Sequence, residues 1–293
     1  MNARSLVEGL VNPFGRTLMG QGGLHGAGSH RLHRIGGLPS QFAHLRRRPG
    51  APFTVDLDRV TTPCGFSYHP EGWHPYRATL AEYLAEPDLP YERSTLCRYY
   101  DRFQPTNVHE AILDHVSEPL EPLVGWPPLL ELLIHLWALD QRRVRRLLQD
   151  PARSSGQGRR QELGPQTHEF GQWQVQRLLE VHASLARDGY RPGDHRDGAV
   201  TGYFLVHDDS YRFVVFHGNH RLAAFRQLGI QRIAARFHRA HPPVVNADDL
   251  ERWTTRQRGV YPPDVAALLF QTLFTHRGDE KWSRLRGRSH AGG

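Results

Sequence analysis

The stretch that decides the fold of this 293-residue chain is Phe216-His-Gly-Asn-His-Arg-Leu-Ala-Ala-Phe-Arg-Gln-Leu-Gly229. The apolar residues before Gly218 predict a β-strand, and the alanine-containing run after it predicts a helix that ends near Leu228-Gly229. A glycine between the two elements permits a tight turn of the backbone. The sequence therefore predicts a strand, a glycine turn and a helix in immediate succession.

The first turn of this helix carries residue types that suit an anion. A helix N-terminus presents N–H donors and a partial positive charge, and His220 and Arg221 add two side-chain donors. Gly218, Asn219, His220 and Arg221 thus form a candidate phosphate cradle. The same pattern also fits an ordinary strand-to-helix turn whose histidine and arginine are only solvated.

The spacing of apolar residues predicts the neighbouring elements, and it favours an α+β fold. We expect helices at 77–84, 91–103, 129–148, 170–188, 247–257 and 262–276, and strands at 53–57, 199–206, 211–216 and 232–237.

Composition divides the chain into five segments. Residues 1–50 are an irregular Gly- and Arg-rich arm, 51–150 a mainly helical region, 151–163 a linker, 164–277 the module with the glycine turn and two C-terminal helices, and 278–293 a polar tail that we expect to be disordered.

The basic residues exclude some enzyme classes. The net charge is +7, and 36 of the 37 basic residues are arginine. A Walker A loop, a protein-kinase site and a Schiff-base enzyme each need a lysine. The single lysine, Lys281, lies in the predicted polar tail, which disfavours these three classes. The basic balance favours an anionic partner that is held by arginine, histidine and backbone N–H groups.

The cysteine and histidine content and the hydropathy limit the metal sites, disulfides and cellular locations that the sequence supports. Cys64 and Cys97 are the only cysteines, and the 19 histidines are scattered, so we predict neither a metal site nor a disulfide framework. No apolar stretch reaches the roughly 18–20 residues that span a bilayer, and the N-terminus lacks the apolar core of a signal peptide. We therefore expect a cytoplasmic protein with no membrane partner.

About a quarter of the chain, residues 164–240, resembles the ParB/sulfiredoxin-like superfamily. Its members have a strand, a Gly-x-His-Arg type turn, an alanine-rich helix, a Leu-Gly stop and a final strand. Gly218-Asn-His-Arg-Leu-Ala-Ala224, Leu228-Gly229 and Ile233-Ala-Ala-Arg-Phe237 follow that order. The resemblance implies a nucleotide-binding module of helix, β-hairpin, helix and strand.

The preceding helix extends the resemblance. Val175-Gln-Arg-Leu178 is similar to the sulfiredoxin helix whose polar side chains face the nucleotide phosphates. The resemblance therefore implies Arg177 as a further phosphate contact, with Gln174 as a weaker one.

Departures from the family pattern bear on the activity. Asn219 stands where sulfiredoxins have their catalytic cysteine, and too few residues follow Phe237 for the DNA-reading domains of partition proteins. The resemblance thus favours the small-molecule kinases of the superfamily, such as free-serine kinases. It implies ATP or another nucleoside triphosphate as phosphoryl donor, usually with Mg²⁺, and a small-molecule hydroxyl as acceptor.

A kinase of this kind needs a carboxylate base near the acceptor. Glu169, just before the Arg177 helix, is the best-placed acidic residue, and His220 is the second catalytic candidate. Glu169 also fits a charge that favours the first turn of a helix.

A dense aromatic stretch, Tyr68-His-Pro-Glu-Gly-Trp-His-Pro-Tyr76, suits a polar ligand held against ring faces. Trp73, His74 and Tyr76 are therefore candidate substrate contacts. Packing between the two halves of the chain explains the same residues.

Two other functions stay open. A nucleic-acid-binding or nuclease-like protein would use Arg46–Arg48 and Arg142–Arg146 on phosphates, although the second cluster also fits a solvated helix face. A non-catalytic nucleotide sensor would bind the same nucleotide without turnover.

Overall fold

The described residues form helices and a mixed sheet, which confirms the predicted α+β class. A computed structural model describes residues 52–105, 108–113, 161–190, 199–238, 243–250 and 263–287. The strands are β1 (Phe53–Asp56), β2 (Val60–Thr61), β3 (Val200–His207), β4 (Ser210–His217), β5 (Arg232–Phe237) and β6 (Val244–Asn246). The α-helices are α1 (Pro75–Ala85), α2 (Thr95–Arg102), α3 (His168–Asp188), α4 (Asn219–Gln227), α5 (Pro263–Thr275) and α6 (Asp279–Gly287).

The predicted hairpin of β3 and β4 lies inside a six-stranded sheet with the order β1-β5-β3-β4-β2, and β6 also pairs with β3. The hairpin is antiparallel, as is the pair of β1 and β5, whereas β2 runs parallel to β4. Strands β1 and β2 come from the region before the predicted linker. The sheet is therefore built from both sides of that linker.

Aromatic rings fill one side of the sheet. Phe204 and Phe213 are partners across the hairpin, and their ring centroids lie 5.4 and 5.8 Å from that of Phe53 on β1. Phe237 on β5 adds a ring 4.7 Å from Phe53. Because alternate residues of a strand share a face, the predicted alternation places these rings in one layer.

Helix α3 begins two residues before its predicted start and ends at the predicted residue, Asp188. The Thr167 side chain caps its start by accepting a hydrogen bond from the Phe170 N–H, and Gly189, with φ of 71°, ends it. Apolar residues recur at three- and four-residue intervals along its buried face, namely Val175, Leu178, Val181 and Leu185. This face packs α3 against the rest of the fold, including α4.

Other helix predictions are met in part. The helix expected at 91–103 is divided into a 3₁₀ turn, Tyr91–Arg93, and α2, because the Ser94 side chain caps a new start by accepting from the Cys97 N–H. Of the helix expected at 247–257 the structure describes a 3₁₀ turn, Ala247–Asp249, and the next residue, and the helix expected at 129–148 lies outside the described residues. None of the described helices is both long and apolar enough to cross a membrane.

The region after Arg277 differs from the expected disordered tail. Helix α6 lies there and buries Lys281, Trp282 and Leu285. Trp282 stacks on Trp73 with 4.2 Å between ring centroids, and Lys281 Nζ donates to the carbonyls of Cys64, at 2.6 Å, and Ala111. The polar composition of this stretch did not predict a packed helix. The buried lysine is accommodated because its ammonium group donates to backbone oxygens of residues that are distant in the sequence.

Candidate functional site

The turn that begins helix α4 is built around Gly218. Its φ of 112° and ψ of 16° lie in the left-handed region, and a Cβ here would lie 2.9 Å from Cγ2 of Val200. Glycine meets both demands because it has no Cβ. For the same reason Gly218 forms no side-chain capping bond to α4. The helix start therefore keeps the partial positive charge of an N-terminus that its own cap residue does not neutralise.

Arg221 brings a full positive charge to this turn. The residue is 4% exposed, and its Nη2 lies 3.3 Å from the Cβ position of Gly218, so the guanidinium folds back over the turn. Burial and the Arg221 charge lower the pKa of His217, which precedes the turn. Gly218 and His220 are partly exposed, so solvent reaches one side of the turn.

The Asn219 side chain faces protein groups instead of an open cradle. The residue is buried; its Nδ2 donates to Oε1 of Glu162, and its Oδ1 accepts from the Tyr68 hydroxyl at 3.0 Å. The candidate cradle therefore includes fewer side chains than expected, because the Asn219 amide already forms hydrogen bonds with Glu162 and Tyr68. The other members of the predicted cradle are Gly218, His220 and Arg221, of which Gly218 and His220 are partly exposed.

Glu162, which lies in the predicted linker, is the acidic residue that reaches the start of α4. Burial raises the pKa of its carboxyl group from 4.5 to about 7, and the hydrogen bond from Asn219 offsets part of that rise. A carboxyl group with a pKa near neutrality can both accept and return a proton, as a general base must.

Three buried tyrosines hold the segment that carries Glu162. The hydroxyls of Tyr76 and Tyr100 donate to the Gln161 carbonyl at 3.1 and 2.7 Å, and that of Tyr99 donates to the Glu162 carbonyl at 2.6 Å. Because these rings come from α1 and α2, two helices of the N-terminal half position a residue of the linker beside α4. No sequence motif marks Glu162, and its role depends on these contacts.

Two of the three predicted substrate contacts lie beside this site as buried supports. His74 is the N-cap of α1, where its Nδ1 accepts from the Tyr76 N–H, and its Nε2 lies 2.9 Å from the Tyr68 hydroxyl. Burial, with the charges of His220 and Arg77, lowers the pKa of His74 well below its usual value. The Tyr76 ring stacks on His220 at 4.6 Å. The Tyr76 ring therefore contacts the start of α4 directly, whereas His74 is linked to it through the Tyr68 hydroxyl.

Trp73, the third predicted substrate contact, packs elsewhere. Its ring stacks on Trp282 and lies 5.3 Å from the ring of Phe66. These contacts join the two halves of the chain, as the packing alternative predicts.

A small cavity adjoins Glu162. It has room for about one water-sized molecule. Burial raises the pKa of the Cys64 thiol in its wall to about 12, so this cysteine is protonated near neutral pH and is a poor nucleophile. Its lining is formed by Thr62, Cys64, Phe66, His74, Pro75, Tyr76, Tyr99 and Glu162.

The predicted residues on α3 have different surroundings. Glu169 is exposed in the first turn, and Arg177 forms an ion pair with Glu180 at 3.6 Å. Gln174 is fully buried, and neither its Oε1 nor its Nε2 has a hydrogen-bond partner among the residues that the structure describes. A buried amide without partners is unfavourable by about 1–3 kcal/mol, which marks this position as one that a polar group would stabilise.

Other predicted groups lie outside the structural description or have no counterpart in it. The arginine clusters at 46–48 and 142–146 fall outside the described residues. Within the described part of the chain, no group of three or more His, Cys, Asp or Glu side chains could hold a metal ion.

Comparison of the chain with protein-family models, with curated proteins and with solved structures finds no match. The function therefore has to be inferred from the geometry at the start of α4.

Proposed function

We propose that the chain is a ParB/sulfiredoxin-like protein that binds a nucleoside triphosphate at the start of α4 and transfers a phosphoryl group to a small-molecule hydroxyl. The observation that carries the proposal is the contact of Glu162 with Asn219 at a helix start that no cap side chain neutralises. It places a proton acceptor beside a positively polarised turn, and phosphotransfer to a hydroxyl needs both.

The phosphate-binding part of the site consists of Gly218, His220 and Arg221. The helix start supplies partial positive charge, and the Arg221 guanidinium lies over the turn. Gln174, which the resemblance implies as a weaker contact, lies on the buried face of α3, and its amide has no hydrogen-bond partner among the described residues. Nucleotide binding here does not require the lysine that other phosphate loops use.

Glu162 replaces Glu169 as the proposed base. At neutral pH about half of the Glu162 carboxyl groups are ionised if the pKa is about 7, so the residue can take a proton from an acceptor hydroxyl and release it later. When Glu162 is ionised, its charge opposes binding of a phosphate nearby. We therefore expect nucleotide affinity to rise as the pH falls through about 7.

ATP supplies the phosphoryl group in this reaction, and Mg²⁺ usually screens its charge. We assign no protein ligand to Mg²⁺, because the described side chains include no metal-binding group. The small-molecule acceptor and the cytoplasmic location inferred from the sequence stay predictions.

Binding is tested with the full chain by thermal shift with ATP, with and without Mg²⁺, and with adenosine as the probe that lacks phosphate. A ligand that binds the native state raises the midpoint temperature, so ATP should raise it and adenosine should not. Arg221→Gln should lose the shift, whereas Arg187→Gln, an exposed arginine at the end of α3, should keep it. Equal shifts with ATP and adenosine, or an unchanged shift in Arg221→Gln, would contradict the proposal.

Turnover is tested by ADP release from ATP in the presence of a panel of hydroxyl compounds that includes free serine. Glu162→Gln should bind ATP and lose about a hundredfold or more in rate, the usual contribution of a general base. Glu169→Gln is the matched control and should stay active. If only Glu169→Gln is inactive, the residue assigned from the sequence is the base. ATP binding without turnover of any acceptor would instead favour the nucleotide sensor.

A further inference from the structure

The side chains behind Glu162 form a directed chain of hydrogen bonds from His74 through Tyr68 to Asn219. The Tyr68 hydroxyl lies 2.9 Å from His74 Nε2, 3.0 Å from Asn219 Oδ1 and 3.1 Å from the Asn219 carbonyl. Tyr68 has no exposed surface, and its ring stacks on the His74 imidazole at 4.3 Å. The hydroxyl is therefore held in one place from two sides.

The direction of each bond follows from the groups present. His74 Nδ1 accepts the Tyr76 N–H, so the proton of the neutral ring is on Nε2, and Nε2–H donates to the Tyr68 oxygen. The one proton of the Tyr68 hydroxyl is then left for the oxygens of Asn219. An amide whose Oδ1 is engaged in this way turns its Nδ2 away from Tyr68, and Nδ2 donates to Glu162 Oε1.

We infer that Tyr68 is a positioning residue, which holds the Asn219 amide in the orientation that directs a hydrogen-bond donor to the Glu162 carboxyl group. Tyr68 itself makes no contact with a reacting atom. The orientation of Asn219 follows from the hydrogen bonds alone. Only the effect of that orientation on catalysis rests on the proposed function. Without the hydroxyl, Asn219 can rotate by half a turn and present an oxygen to Glu162.

The thiol and phenol groups around Glu162 do not titrate in the pH range where Glu162 does. Cys64 and the phenols of Tyr68, Tyr76, Tyr99 and Tyr100 all have a pKa raised by burial, so they stay protonated near pH 7. Other charged or titratable groups in the described part of the chain are His74, whose pKa burial lowers, His220, which stacks on Tyr76, and Lys281, whose charge lowers the Cys64 pKa in part.

Tyr68→Phe tests the inference, because it keeps the ring on His74 and removes the hydroxyl. The pKa of Glu162 is read by ¹³C NMR on glutamate-labelled full-length protein, with the signal assigned by its loss in Glu162→Gln. A donor to a carboxylate lowers its pKa, so loss of the oriented Asn219 donor should raise the Glu162 pKa by about half a unit to one unit. Tyr100→Phe is the matched control; it removes an equally buried hydroxyl that bonds to Gln161 and should move the pKa less.

An unchanged Glu162 pKa in folded Tyr68→Phe, or an equal rise in Tyr100→Phe, would overturn the inference. If Tyr68→Phe does not fold, the wild-type chain gives a second measurement. The Tyr68 ¹³Cζ chemical shift should change with pH at the same midpoint as the Glu162 carboxyl carbon. A Tyr68 signal that does not change at this midpoint would also overturn the inference. Neither readout needs ATP. A failed ATP titration with the expected NMR shifts would refute the proposed function and leave the positioning role intact.

Discussion

Helices α3 and α4 both begin beside an acidic side chain, but the two starts have different chemistry. At α3, Thr167 caps the Phe170 N–H at 3.2 Å, and Glu169 is exposed in the first turn. At α4, Gly218 provides no cap side chain, and the acid, Glu162, arrives from a distant segment and is desolvated. The helix dipole favours an anion at both starts. The two helix starts differ because the acidic side chain is desolvated at α4 and exposed at α3.

The difference shows which feature of a helix start makes it useful for proton transfer. Water surrounds Glu169 and stabilises its charge, so an exposed acid near a helix dipole contributes about 0.3–1 kcal/mol to stability and little else. Glu162 loses that water, and its carboxyl group acquires a pKa of about 7. Proton transfer is therefore expected at the helix start where tertiary packing removes solvent from the acidic side chain.

The largest expected effect is on the pH dependence of stability. Glu162 has a pKa of 4.5 before burial and about 7 in the fold, so the native state holds one more proton between these values. The contribution of Glu162 to the free energy of unfolding should therefore fall by about 3 kcal/mol as the pH rises through this window, and stay level above it. Urea denaturation from pH 4.5 to pH 8 measures it.

Two variants isolate the contribution of Glu162 from those of other groups. Glu162→Gln should lack this fall, whereas Glu169→Gln should keep it. The lowered pKa of His74 works in the opposite direction, because stability is lost as the pH falls below the usual value of 6.5. Since His74 is present in all three proteins, it cancels in the comparison. A Glu162→Gln profile parallel to that of the wild type would refute the buried-acid description.

A smaller loss is expected from Gly218→Ala at the start of α4. The alanine would have to adopt a φ of 112°, and its Cβ would lie 2.9 Å from Val200 Cγ2. We therefore expect the free energy of unfolding to fall by about 2 kcal/mol because of backbone strain and the close contact. Gly229, at the other end of the helix, has φ of 71° and no atom within 4 Å of its Cβ position. Gly229→Ala should therefore be less destabilising. Equal losses would mean that the approach to Val200 does not matter.

The smallest effect is expected at the capped start of α3. Thr167→Ala removes the side-chain bond to the Phe170 N–H and should lower the free energy of unfolding by about 1 kcal/mol. The same variant should leave the ATP-induced thermal shift unchanged, since a capped and solvated helix start is not part of the proposed site. Loss of the shift would place the ligand at α3 and restore Glu169 as a catalytic candidate.

The elements around the site were predictable because their signals are local. The alternation of 211–216 predicts β4, the three- and four-residue spacing of 170–188 predicts α3, and Gly218 predicts the turn before α4. Each of these patterns depends on neighbours within a few residues along the chain. Where a predicted element fell short, as at 91–103, the side chain of Ser94 had begun a new helix.

Glu162 and Lys281 were not predictable in the same way. Glu162 lies in a stretch whose composition indicates a linker, and Lys281 in one that indicates a polar tail. In the fold, tyrosine hydroxyls from α1 and α2 hold the first segment, and the carbonyls of Cys64 and Ala111 accept hydrogen bonds from Lys281 in the second. These partners are far away in the sequence, and no local pattern encodes them.

The sequence by itself determined the α+β class, the hairpin, the glycine turn and the positively charged first turn of α4, because hydrophobic periodicity and backbone freedom act over short distances along the chain. Only the tertiary structure decided which acid lies at that turn and in what protonation state. The pKa of a carboxyl group depends on the water it loses and on the donors that face it, and both come from residues that meet only when the chain has folded.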